Sequence, residues 1–311
     1  MATVPLILAA VDGSDQSLQT VTYLSRILSP AHVGVELFHV LSEAPETVFD
    51  LGELGGAAAF EAQIGQWRTD RKAQINQFMG AARKLFLEAG FPSANITITV
   101  QARASGIARD ILAKSRLGYA AVAIGRKGFG AMPDFMLGSI AAKLADTIDH
   151  LPLAIVGGRP ETRNLFVAFD RSRRIRKGLH QVSPLLARAF EQILLCHIVR
   201  PLSGPAPARE SFFGLENEAH WLDENSRKII PALGEAKQFL SLAGFDPRTF
   251  HTVISKEKTS RAEGICAETA ALGAGTIVIG RRGTTTVETF AMGRVTRKIL
   301  HLSFDRAIWI V

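Results

Sequence analysis

Apolar residues along this chain follow two alternating rhythms. Short, nearly continuous apolar runs occur at 6–11, 33–40, 96–100, 120–124 and 153–156. Their length and β-branched content predict strands buried on both faces of a parallel sheet. Between them the apolar positions space out as on helices: Leu18, Val21, Leu24 and Leu28 form one stripe, and Ile140, Leu144 and Ile148 another. A further helix is expected near 106–114. The long polar stretch after the second run reads as a loop, followed by a helix that Gly90 would stop after Ala89.

The same order then repeats. Apolar runs at 165–169, 193–198, 276–279 and 307–311 take the corresponding places. Asp170-Arg171-Ser172 parallels Asp12-Gly13-Ser14, and Leu195-Cys196-His197-Ile198 parallels Leu37-Phe38-His39-Val40. Alternating strands and helices predict an α/β fold: two tandem Rossmann-like, doubly wound domains, each with a five-stranded parallel sheet. The expected division is residues 1–157 for the first domain, a Gly/Pro-containing linker at 158–163, and 164–311 for the second. In such sheets ligands sit at the carboxyl ends of the strands, where the strand order reverses. Asp12, Val40 and Gly125 all follow strand ends and can meet there.

One motif is duplicated with this fold. Gly125-Arg126-Lys127-Gly128 is followed after nine residues by Gly138-Ser139, and Gly280-Arg281-Arg282-Gly283 by Gly293-Arg294 at the same spacing. All three glycines are offset by 155 residues. Each copy closes a strand and opens a helix. The first amides of a helix lack intrahelical partners and carry partial positive charge, so an anion can dock on them. Glycines admit close approach of phosphate oxygens and permit left-handed turns. Ser139 adds a hydroxyl. The plainer alternative is that the glycines only make tight strand-to-helix turns.

Composition bounds the rest. The 311 residues are 47% hydrophobic with a mean hydropathy of +0.15, as for packed domains. No apolar window is long enough for a membrane helix, and the start has no basic leader region, so a cytoplasmic protein is expected. Cys196 and Cys266 show no metal or CxxC spacing and read as buried free thiols. The net charge of +7 alone does not imply nucleic acid. No groove-reading motif accompanies it, and a basic surface serving anionic ligands is the blander account.

These features together resemble a tandem universal stress protein, over essentially the whole chain. The resemblance rests on Val11-Asp12-Gly13-Ser14, on His39-Val40 ending the second strand, and on the G-x2-G-x9-G-[S/T] motif at Gly125 to Ser139. It implies ATP as the ligand of the first half, with Mg2+ allowed as its companion ion. Gly125, Gly128, Gly138, Ser139 and Ile140 would hold ribose and phosphates, and Ala10, Val11 and Asp12 would lie along the nucleotide. Val40 would read the adenine edge and Ile124 would flank base or ribose. The family's pairing of fifth strands implies an internal pseudo-dimer, 153–156 against 308–311; further homo-oligomers and protein partners are compatible with it.

The second half departs from the pattern. Its matching positions are Asp170, Ile198, Gly280, Gly283, Gly293 and Arg294, so the hydroxyl is lost, and Arg171 replaces the small residue after the aspartate. Arg173, Arg174, Arg281, Arg282 and Arg297 are expected to crowd the same crevice. Either Arg294 fills the phosphate subsite and disables the site, or the arginines take an anion of another shape.

Other chemistry is excluded or weak. There is no P-loop, dinucleotide fingerprint or nucleophile elbow. The histidines show no metal spacing, and His39 and His197 point to a shared structural role. Asp12 could cap the following helix or lie beside the nucleotide. Without a general base aimed at a γ-phosphate, hydrolysis should be slow or absent. Trp67, Trp221 and Trp309 read as core or interface residues. Two long connections, 42–68 and 201–221, could be lids or docking surfaces. Three functions follow: an ATP-regulated stress-response protein with a degenerate second site, a non-nucleotide interaction protein of the same family, or a slow ATPase.

Overall fold

The computed structural model describes residues 4–42, 58–128, 136–186, 190–199, 215–256, 260–283 and 292–311. The first half contains β1 (Leu6–Ala10), α1 (Asp15–Ile27), β2 (Gly34–Leu41), α2 (Ala58–Glu88), β3 (Ile96–Ala102), α3 (Ile107–Ser115), β4 (Ala121–Gly125), α4 (Ser139–Thr147) and β5 (Leu153–Val156). The second repeats it with β6 (Asn164–Ala168), α5 (Arg173–Leu186), β7 (Gln192–Ile198), α6 (Leu215–Leu242), β8 (Phe250–Ser255), α7 (Arg261–Ala271), β9 (Thr276–Ile279), α8 (Arg294–Leu302) and β10 (Ala307–Ile310).

All ten strands form one sheet in the order β3-β2-β1-β4-β5-β10-β9-β6-β7-β8. Pairing is parallel within each half, and β5 meets β10 antiparallel, with Val156 opposite Ala307 and Leu153 opposite Ile310. The expected doubly wound halves and internal pseudo-dimer are therefore present. Alternation along the strands builds two apolar layers. Ile7, Ala9 and Val11 pack with residues of α1, α2, α5 and α6 on one face. Leu8 and Ala10 pack with residues of α3, α4, α7 and α8 on the other. The tandem halves thus share both layers of one continuous core.

Local signals explain most helix ends. Ser14 caps α1 by accepting a hydrogen bond from Ser17 N at 3.2 Å, so the cap is Ser14 and not Asp12. Gly90 adopts φ +89° after α2, as the sequence requires for a helix stop. The polar stretch expected to be a loop differs: α2 already begins at Ala58, so 58–68 are helical, as are 215–221 in the matching connection. The remainders of both connections, 43–57 and 201–214, lie outside the described residues.

Candidate functional site

At the carboxyl ends of β1, β2 and β4, all ten positions singled out in the first half line one crevice of about 570 Å3: Ala10, Val11, Asp12, Val40, Ile124, Gly125, Gly128, Gly138, Ser139 and Ile140. Its floor is made by strand ends, and one side by the N-terminus of α4. Gly138 caps that helix without any side-chain hydrogen bond, leaving the first amides of α4 unmatched within the helix. Ser139 is exposed at this end.

The glycines act through proximity. None of Gly125, Gly128 and Gly138 has a positive φ, contrary to the expected left-handed turns. A Cβ at Gly128 would lie 2.4 Å from Asp12 Oδ2, and one at Gly138 would lie 3.1 Å from the Arg126 carbonyl oxygen. The loop is drawn against the helix by Gly138 N donating to Arg126 O at 3.0 Å. Asp12 itself is fixed: Oδ1 accepts from Ser14 N at 2.9 Å and from the Ser17 hydroxyl at 2.6 Å. Its Oδ2 faces Gly128.

Sequence reading missed the opposite wall. Trp67, Arg71 and Gln74, all from α2, line the crevice, and Arg71 donates to the Asp12 carbonyl at 3.1 Å. Trp67 is half-buried there. Their helical spacing of four and three residues was the available signal, hidden because the helix start was read as loop. Lys127 adds a second cation to the lining. Of the other tryptophans, Trp309 is fully buried at the β5–β10 junction, whereas Trp221 is 40% exposed and is not a core residue.

His39 and His197 have the shared structural role expected. Each Nδ1 donates to the carbonyl just before the matched aspartate, Val11 at 2.8 Å and Phe169 at 2.6 Å. Burial pulls both rings below the ordinary pKa of 6.5, helped by nearby arginines. Above pH 6.5 the rings are neutral folded or unfolded, and the full stability is present. As pH falls below 6.5 the unfolded chain takes up protons that the folded rings resist, so stability is lost toward the lowered folded values. We expect urea-unfolding stability to fall between pH 7 and 5, by at most about 1.4 kcal/mol per pH unit for each ring. Replacing both histidines by Asn should flatten that slope.

The second half keeps the frame but differs in its side chains. Gly293 N donates to Arg281 O at 2.9 Å, mirroring Gly138, and Asp170 accepts from Ser172 N at 3.0 Å, mirroring Asp12. A Cβ at Gly283 would lie 3.1 Å from Asp170 Oδ2. Ile198 is buried at the end of β7, and Gly280 is buried at the end of β9. Arg294 is exposed at the first position of α8. Arg171 has φ +64°, the one non-glycine residue in the left-handed region among those described, where the first half has Gly13 at +89°.

The expected arginines are drawn toward the junction of the two halves. Arg281 is 7% exposed and turns into the other half, donating to Ala145 O at 2.5 Å and to Ile148 O. Arg174, Arg281 and Arg282 together line a cavity of about 260 Å3 between the halves, beside Asp149 and Lys177. Arg297 pairs with Asp146 of the first half at 3.2 Å. The cations follow the interface because it carries helix C-termini and two aspartates of α4 and its following turn. Among the described residues no cluster of three His, Cys, Asp or Glu could hold a metal. Cys196 is a buried free thiol whose pKa burial pushes up to about 12, while Cys266 is free but only half-buried.

The universal stress protein family model matches this chain twice, over residues 5–156 and 161–304. The chain belongs to that family. Among solved structures, the universal stress protein of Archaeoglobus fulgidus DSM 4304 is 14% identical, with a TM-score of 0.59 over 98% of this chain and 97% of that one. One from Pseudomonas aeruginosa UCBPP-PA14 is 13% identical, with a TM-score of 0.53 over 99% and 93%. A Pseudomonas aeruginosa PAO1 protein described as functionally unknown is also 13% identical, with a TM-score of 0.54 over 99% and 92%. At these identities the likeness is one of fold. No curated relative matches. In this universal stress protein no helix among the described residues is long and apolar enough to cross a membrane.

Proposed function

We propose that the first half binds one adenine nucleotide, ATP with Mg2+ as its companion ion, as a regulatory ligand, and that the second site does not. The convergence of all ten motif positions on one crevice carries this reading. The crevice separates two chemistries. Val40, Ile124, Ile107 and Ile111 give an apolar slot suited to a base, and Trp67 offers an aromatic face. At the other end the unmatched amides of α4, the Ser139 hydroxyl, Lys127 and Arg71 suit a polyphosphate. Replacement of Ser139 by Arg294 removes the hydroxyl from the second copy.

A regulatory role fits better than turnover. Asp12 is the one carboxylate among the described lining residues, and Oδ1 already accepts two hydrogen bonds. That oxygen is poorly placed to take a proton from an attacking water. Binding would act by shifting populations of the protein toward the liganded arrangement.

Mass spectrometry of nucleotide released on mild denaturation, with calorimetric ATP titration of the same protein, tests the proposal. One adenine nucleotide per chain is expected. Two per chain would refute the asymmetry, and none, with no heat on titration, would refute nucleotide binding.

A further inference from the structure

The second residue of each glycine motif is an arginine whose side chain crosses into the opposite half. Arg126 is 2% exposed and donates to Leu300 O, near the C-terminus of α8. Arg281, 155 residues later, donates to Ala145 O and Ile148 O at the C-terminus of α4. The last carbonyls of a helix have no intrahelical donors and carry partial negative charge. A buried guanidinium answers both, with charge-assisted hydrogen bonds in a fixed fork. The exchange is reciprocal, as a pseudo-two-fold axis through β5 and β10 requires.

The consequence is unequal because the two helices differ at their other ends. α4 spans only Ser139–Thr147, so Arg281 grips one end of a short rod whose other end is the Ser139 cradle. We infer that Arg281, supplied by the second half's own glycine loop, is a positioning residue for the first half's anion cradle. The second copy of the motif is then retained for what its arginine does across the interface. Arg126 has the mirror task on α8, whose N-terminus bears Arg294. The same Arg126 lies in the loop that closes the first crevice, its carbonyl accepting from Gly138 N, so the crevice and the interface share a residue. The route is a continuous rod, α4, held at both ends by backbone and guanidinium contacts.

The effect on ligand affinity rests on the nucleotide reading above, but the effect on α4 does not. Hydrogen exchange of the free, full-length protein therefore comes first. Arg281→Gln should speed exchange of amides in 139–148 roughly tenfold and leave α8 near wild type, whereas Arg126→Gln should do the reverse. Arg281→Lys, which keeps the charge but not the fork, should fall between and serves if Arg281→Gln does not fold. Calorimetry then compares ATP with adenosine. Arg281→Gln should weaken ATP about fivefold or more and leave adenosine unchanged, because only the phosphates meet α4. Equal exchange increases in α4 and α8 with either variant would overturn the assignment, leaving a general interface contact. So would equal loss of ATP and adenosine affinity. Wild-type protein that binds no ATP would sink the nucleotide reading while the exchange pattern still judged Arg281.

Discussion

Gly138→Asp should lower ATP affinity at least about a hundredfold while the protein remains folded. Two effects add at this position. The new carboxylate would stand at the N-terminus of α4, where the phosphates are proposed to dock, and like charges a few ångströms apart repel strongly in a partly desolvated crevice. The added Cβ would also lie 3.1 Å from the Arg126 carbonyl oxygen, so the loop must shift slightly away from the helix. Gly138→Ala separates the two, because it adds the Cβ without the charge. ATP calorimetry on both variants should show a modest loss for Ala and a near-complete loss for Asp. Unaltered ATP binding by Gly138→Asp would remove α4 from the site. An Asp at this helix N-cap is itself favourable for the helix, so folding by circular dichroism should be preserved.

Trp309→Ala should be the most damaging single substitution to the fold, lowering unfolding free energy by about 3–5 kcal/mol. Trp309 is 0% exposed on β10, in the apolar layer shared by both halves. Its Nε1 donates to Tyr23 OH at 2.9 Å, and Tyr23 OH lies 3.0 Å from Thr276 Oγ1, so one hydrogen-bonded chain ties α1 of the first half to β9 of the second. Burial keeps the Tyr23 phenol protonated well above its usual pKa, able to donate and accept at once. Removing the indole leaves a large cavity and a phenol short of one donor. Urea unfolding followed by circular dichroism should show the midpoint falling for both halves together. Tyr23→Phe should cost less, about 1–3 kcal/mol, because the ring still fills its space. Loss confined to one half would mean that the β5–β10 junction does not couple them.

The repeat, the strands and the positions that line the first crevice were legible in the sequence. Residues 6–10, 121–125 and 153–156 are apolar because both faces of a parallel sheet are covered, and burial of that kind writes itself into every position. The glycines at 125, 128 and 138 were legible because each stands where an added Cβ would crowd a neighbour, the Asp12 carboxylate at Gly128 and the Arg126 carbonyl at Gly138. Less was legible in α2. Phe60, Ile64 and Trp67 do carry a helical spacing, but polar and small residues around them mask it, and the approach of Arg71 to Asp12 is a tertiary contact that spacing does not show. The arginines misled for a different reason. Arg281 and Arg282 both line the cavity between the halves, yet Arg281 is buried with its guanidinium on α4 carbonyls while Arg282 is only half-buried.

By itself, the chain determined two α/β units, their strand order in sequence and the composition of one anion-compatible loop, since each follows from which residues meet water and which meet backbone at short range. The tertiary structure decided which side chains face which half. That Arg126 and Arg281 cross the junction, that Trp309 joins Tyr23, and that α2 walls the crevice depend on ten strands closing into one sheet. A guanidinium carries the same charge wherever it points; only the packing of the opposite helix end determines what it holds.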